Sequence, residues 1–104
     1  YSSSAASSGD RSSAASSGNR SSAKASGTLS IAAVCGDHCT VEASATSIAA
    51  VAGRGFWWRV HLGAVVIQRW MDAEQSPHVV LDSMKLNLTE GSLVHVICGQ
   101  IQKE

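Results

Sequence analysis

A nine-residue unit opens this chain and recurs almost unchanged. Ser3 to Arg11 reads Ser-Ser-Ala-Ala-Ser-Ser-Gly-Asp-Arg, Ser12 to Arg20 repeats it with Asn19 in place of Asp10, and a degraded copy begins Ser21-Ser22-Ala23-Lys24. Such side chains offer little apolar area, and burial is what must offset the about 1–2 kcal/mol of backbone entropy lost per ordered residue. The composition therefore predicts a disordered, low-complexity tail over residues 1–27 and a folded domain over 28–104. A Ser-rich, Arg-bearing, acid-poor leader also matches an organellar transit peptide, and Tyr1 in place of Met reads as a processed or partial chain.

With 104 residues in all, about 75 remain for one small core, which would gain from a ligand, a partner or a cross-link. The formal net charge of zero conceals +2 on residues 1–27 and −2 on residues 28–104. No polycation is present, so attraction to nucleic acid or anionic lipid would have to come from a local patch. The longest uncharged windows, 43–53 and 91–102, fall short of the about 20 apolar residues that span a bilayer, so no membrane span is expected. Three cysteines suit free thiols, or one disulfide and a spare, better than a disulfide scaffold.

From Thr28 a second echo appears: Ser30-Ile-Ala-Ala-Val-Cys-Gly36 returns as Ser47-Ile-Ala-Ala-Val-Ala-Gly53. Each copy is too short for a stable helix and ends in Gly, which favours strands followed by turns. Residues 39–46 alternate weakly as another strand. In the central stretch Phe56, Trp58, Val60, Leu62 and Ala64 fall on one face, with Trp57, Arg59, His61 and Gly63 on the other. Residues 64–70 read as another strand or as a short helix into Met71-Asp72, and Pro77 starts the apolar run His78 to Leu81. Met84, Leu86 and Leu88 alternate with polar residues ahead of the turn Thr89-Glu90-Gly91-Ser92 and a β-rich run from Leu93 to Cys98, which predicts a hairpin. The pattern as a whole predicts an all-β fold, a small barrel or sandwich.

The closing run Gly91-Ser92-Leu-Val-His-Val-Ile-Cys98-Gly99-Gln100-Ile101 resembles the last strands of small OB-fold subunits that bind single-stranded DNA, telomere-capping proteins among them. The resemblance covers about 20 residues and implies an OB-like barrel and a single-stranded nucleic-acid ligand. Six residues separate the Gly-Ser pair from the later Gly where those families place five, so strand parity calls for a bulge.

All three tryptophans, the only phenylalanine and three of the eight basic side chains lie between Gly53 and Trp70, and no Asp or Glu occurs from 43 to 71. Aromatic faces stack on bases and interleaved arginines neutralise phosphates. Arg54, Trp57, Arg59, His61 and Arg69 are therefore the candidate ligand-binding residues. The expected function is a non-catalytic binding module for single-stranded nucleic acid or a protein partner. An extracellular structural or matrix protein is the alternative, suggested by the Ser/Ala repeat and the glycosylation triplets at Asn19 and Asn87. Cys35, His38 and Cys39 have a zinc-compatible spacing, but no second ligand pair completes a site, and no metal or other cofactor is expected. No nucleophile elbow, metalloprotease helix, phosphate loop or dinucleotide fingerprint occurs, so no catalysis is expected. The chain is expected to give a β-type circular dichroism spectrum and one cooperative thermal transition; a reading frame never selected to fold would give neither.

Overall fold

Parallel pairing between strands 17 or 18 residues apart governs the architecture. The structure, a computed structural model, describes residues 4–11 and 13–102. Among these residues there are eleven strands and no helix. In chain order they are β1 (Ser4–Ser7), β2 (Ser13–Ser17), β3 (Ser22–Ala25), β4 (Ile31–Cys35), β5 (Cys39–Ala43) and β6 (Ile48–Ala52). There follow β7 (Gly55–Arg59), β8 (Val65–Arg69), β9 (His78–Asp82), β10 (Leu93–Ile97) and β11 (Gln100–Gln102). One sheet has the order β1-β3-β5-β7-β10-β11 and the other β2-β4-β6-β8-β9; we call them sheet A and sheet B. Ser4 pairs with Ser22, Ser22 with Thr40 and Thr40 with Trp57. Each coil thus lays one strand in each sheet and returns beside its own start, making a two-sided β-solenoid. The nine-residue unit is half a coil, one strand plus one corner.

Two sequence expectations are corrected here. The described residues of segment 1–27 form β1, β2 and β3, which pair in register with β4 and β5, in place of a disordered tail; residues 1–3 and 12 lie outside the described residues. The all-β class holds, but the strands stack as a solenoid and do not close as a barrel, OB-like or otherwise. The physical reason is the same in both cases. Small inward side chains cannot fill a barrel, yet they let two sheets approach closely. Ala14, Ala23, Ala25, Ala32, Ala43 and Ala49 are all buried, and facing strands from β1 to β6 bring Cα atoms within 8 Å, inside the about 10 Å of ordinary sheet packing. Little apolar area is buried per residue, but each inner strand gains a full ladder of backbone hydrogen bonds on both sides.

The corners explain the rest of the repeat. Its ninth residue is left-handed in four successive units, with φ of 58° at Arg11, 62° at Arg20, 56° at Leu29 and 61° at His38. The eighth residue caps the coil above: Asp10 Oδ1 accepts from Thr28 N (3.2 Å), Asn19 Oδ1 from Asp37 N (3.1 Å), and Asp37 Oδ1 from Arg54 N (3.3 Å). Glycine at the seventh place is demanded by contact between coils. A Cβ on Gly27 would stand 2.0 Å from the Gly9 carbonyl oxygen, and one on Gly53 2.2 Å from that of Gly36. The first-position serines Ser21, Ser30 and Ser47 turn inward and are buried; Ser47 Oγ, for example, accepts from Ser30 N at 2.9 Å.

Beyond β6 the interior changes character. Phe56, Trp58, Val60, Val66 and Val96 are fully buried, so large side chains replace alanine at the C-terminal end. Trp58 Nε1 is buried there without a hydrogen-bond partner among the described residues, a desolvation cost of about 1–3 kcal/mol that the ring's packing must exceed. Gln68 is also fully buried, in a run of apolar neighbours, and its amide is satisfied: Nε2 donates to Gly53 O (3.0 Å) and Arg54 O (2.9 Å), and Oε1 accepts from Gly99 N (2.8 Å). This one side chain ties the β6–β7 corner to the β10–β11 turn.

Antiparallel strands close this end. β9 pairs with β8, and β10 lies between β7 and β11. The hairpin expected from Met84 onward is absent, because residues 83–87 form consecutive turns. Leu86 N donates to Asp82 O (3.0 Å) and Leu88 N to Ser83 O (3.2 Å), and buried Ser83 donates to Ala64 O at 2.9 Å. The hairpin is instead β10–β11, turning at Cys98 and Gly99 with φ of 48° and 78°, the double positive φ that a two-residue loop of type I′ requires. Two glycine substitutions separate crowding from backbone preference. Gly53→Ala, which meets a carbonyl, is expected to cost about 1–3 kcal/mol. Gly91→Ala, at φ 79° with open space around it, is expected to cost about 1 kcal/mol from backbone strain alone. Denaturant unfolding of both variants checks the order; equal losses would remove the corner contact as the reason for glycine.

Candidate functional site

Alternation along β7 decides which aromatic side chains are available to a ligand. Phe56 and Trp58 point inward and are fully buried, whereas Trp57 is half-buried and Arg59 exposed on the outer face of sheet A. Neighbouring strands supply their surroundings through register: Trp57 lies between Thr40 of β5 and His95 of β10, and Arg59 between Glu42 and Leu93. Trp57 and His95 stack face to face, with centroids 4.3 Å apart and planes 8° from parallel. Arg59 Nη1 donates to Gly91 O at 2.9 Å. Among the described residues no carboxylate lies within ion-pair distance of Arg59.

His61 follows β7 and is held by two acids. Its Nε2 lies 2.6 Å from Glu42 Oε2 and its Nδ1 2.7 Å from Glu90 Oε2. A neutral imidazole can donate from one nitrogen only, so both contacts together require the imidazolium. The histidine pKa is raised accordingly, chiefly by the hydrogen bond to Glu42 against an opposing desolvation effect, with Glu90 adding to the rise. The Glu90 pKa is lowered, first by the hydrogen bond from Leu62 N and then by His61; that backbone bond is 3.0 Å long. Lys24 Nζ stands 4.0 Å from Glu42 Oε1. Together these groups border a shallow depression of about 250 Å³, with Ser26 and Ser44 on its rim. Neither ring nitrogen is available as a general base, since each already faces a carboxylate, and Ser44 Oγ donates to Gly27 O at 2.6 Å.

The two remaining candidates lie elsewhere. Arg54 sits in the β6–β7 corner, and Arg69 ends β8 on the outer face of sheet B, paired with Ala52 and His78. Both line a groove with Trp70 and Met71. The structure thus groups Trp57, Arg59 and His61 on one face and Arg54 and Arg69 around the corner. His95, Glu42, Glu90 and Gln68 contact or brace these candidates, and the sequence did not single them out for that. His95 had a usable signal, its odd offset from Val94 and Val96 within a clear strand, which turns it to the opposite face; the two glutamates meet His61 only through the fold.

Cys35 is exposed on β4 in sheet B, and Cys39 is buried on β5 in sheet A, where its Sγ lies 3.5 Å from Gly18 O. All three thiols are free, and no group of three or more His, Cys, Asp or Glu among the described residues could hold a metal ion. No helix among them is long and apolar enough to cross a membrane. Comparison of the chain with protein families, with curated proteins and with solved structures finds no match.

The carboxylate–imidazolium–carboxylate bridge joins β5 to the turn before β10 and makes stability depend on pH. Because the His61 pKa is raised on folding, its contribution is complete below the ordinary value of 6.5 and is lost as pH rises through the folded value. Because the Glu90 pKa is lowered, its contribution is present above the ordinary 4.5 and is lost as pH falls through the folded value. Melting temperature is therefore expected to decline as pH rises above the ordinary histidine value of 6.5, and His61→Gln should flatten that decline. An identical alkaline slope in the variant would show that the bridge does not carry it.

Proposed function

We propose that this chain is a non-catalytic binding module whose ligand is single-stranded nucleic acid, received on the outer face of sheet A. The observation that carries the reading is the Trp57–His95 stack beside an arginine without an ion pair. The stack offers a planar surface ordered before the ligand arrives, which reduces the entropy cost of binding. Stacking is tolerant of base identity and contributes about 1–3 kcal/mol per base. Arg59 supplies the phosphate contact, while His61, held as imidazolium, offsets part of the charge of Glu42 and Glu90. Arg54 and Arg69 extend the positive field around the corner.

The test is fluorescence anisotropy of a labelled single strand at two salt concentrations. Trp57→Ala is expected to lose about 1–3 kcal/mol of affinity while changing stability by about 1 kcal/mol. Trp58→Ala, by contrast, should cost about 3–5 kcal/mol of stability through the cavity it leaves. Arg59→Ala should weaken binding and lower the salt slope by about one phosphate contact. Absence of binding by the unmodified chain at low salt would sink the proposal.

An extracellular structural or matrix role is the second reading. It is favoured by the Ser/Ala/Gly units stacking as coils, and by the outer face of sheet B, where Ile31, Ile48, Ile67 and Val80 are exposed in adjacent ladders. Concentration-dependent assembly in sedimentation, with no oligonucleotide binding, would favour it.

A further inference from the structure

Around the corner from sheet A lies a groove of about 380 Å³, bordered by Asp37, Ala52, Arg54, Arg69, Trp70 and Met71. Its two arginines come from successive coils. Gly53 N donates to Arg69 O at 2.9 Å, so the Arg54 corner and the end of β8 run side by side at about the 4.8 Å strand spacing. The floor is braced from within, since buried Gln68 donates to the carbonyls of both Gly53 and Arg54. Cys98 N also donates to Arg54 O, at 2.7 Å. Trp70 is positioned from two sides: its backbone N donates to Pro77 O (3.3 Å), and its Cη2 packs against Gly99, at 3.4 Å from where a Cβ would stand.

Charge and shape select a class of ligand. Among the described residues neither Arg54 nor Arg69 has an ion pair, so two guanidinium groups border the groove without neutralisation. The one carboxylate in its wall, Asp37, already accepts the Arg54 backbone N–H through Oδ1 (3.3 Å), which leaves its other oxygen as an acceptor. Trp70 and Met71 supply an indole and a thioether, surfaces that suit a planar ring. The volume lies near the lower end of the about 300–1,000 Å³ typical of small-molecule sites, adequate for one nucleotide and too small for a polymer.

We propose that this groove binds a nucleoside monophosphate. The phosphate dianion engages Arg54 and Arg69, the base lies against Trp70, and Asp37 accepts a hydrogen bond from a ribose hydroxyl or an exocyclic amine. Guanidinium pairs match phosphate oxygens through parallel N–H donors. The site involves neither the Trp57–His95 stack nor Arg59, so it goes beyond the nucleic-acid reading and does not depend on it.

The test is calorimetric titration of the full chain with adenosine 5′-monophosphate, adenosine and inorganic phosphate. Binding of the monophosphate is expected, with adenosine and inorganic phosphate each weaker by about tenfold or more. Arg54→Gln and Arg69→Gln, at exposed positions, are each expected to weaken monophosphate binding by about tenfold, and Trp70→Leu to weaken it as well. Thermal melts confirm that each variant is folded, and the two arginine variants keep the test decisive if Trp70→Leu is not. Trp57→Ala should leave monophosphate affinity in place. The proposal is overturned by no heat of binding, by equal affinity for nucleotide and nucleoside, by full affinity in Arg69→Gln, or by loss of affinity in Trp57→Ala, which would place the nucleotide on sheet A. Absence of oligonucleotide binding by the unmodified chain, with the monophosphate still bound, would sink the sheet A proposal alone.

Discussion

The close approach of backbone to backbone at the solenoid corners is the constraint on which everything else rests. Where a Cβ at Gly27 or Gly53 would fall 2.0 or 2.2 Å from the carbonyl of the coil below, only glycine permits neighbouring strands to reach hydrogen-bonding distance. Once the corners are in place, side-chain amides and carboxylates at Asp10, Asn19 and Asp37 reach from one coil to the next. The strands between them then pair in parallel without sliding. A repeat so poor in large apolar residues becomes structured because its order is cooperative between coils and does not rest on the burial of any one unit.

Along the axis the interior grades from alanine to tryptophan. In the first coils the two sheets are drawn together over methyl groups; at the far end Phe56 and Trp58 fill the interior and antiparallel β9, β10 and β11 close it. Both candidate binding regions lie at that end. The reason is geometric: β10 places His95 beside Trp57, and Gln68 holds the corner from which Arg54 projects. The buried glutamine is costly to leave unsatisfied and is fully satisfied here, so it couples the corner, β8 and the last hairpin as one polar unit.

Some of the site was legible before the fold was known. Alternation with a period of two is a local property of an extended chain, so the inward set of Phe56 and Trp58 and the outward set of Trp57 and Arg59 follow from residue order. The two echoes in the chain, the serine nonapeptide and the Ser-Ile-Ala-Ala-Val segment, are one repeat in one phase, and only the stacking makes that evident. Read separately, the first looks like a tail and the second like two strands of a barrel. The strand expected at Met84–Leu88 failed for a related reason: its alternation is genuine, but Ser83 and the turn bonds at Leu86 and Leu88 satisfy the backbone locally, and Met84 and Leu86 remain exposed.

The amino-acid order by itself determined strands β4 to β10, their inward and outward faces, and the glycines that end β4 and β6, because each depends on residues within about nine positions of one another. Tertiary structure alone decided which strands became neighbours. Coils of 18 residues give way to coils of 17 between β5 and β7, and that count sets which outward side chains share a row. It placed Glu42 and Glu90 on either side of His61, set His95 against Trp57, and parted Arg54 and Arg69 from the aromatic face. Pairing partners are chosen by chain length around a closed coil and by the antiparallel return of the last strands, and neither is encoded in the periodicity of any single strand.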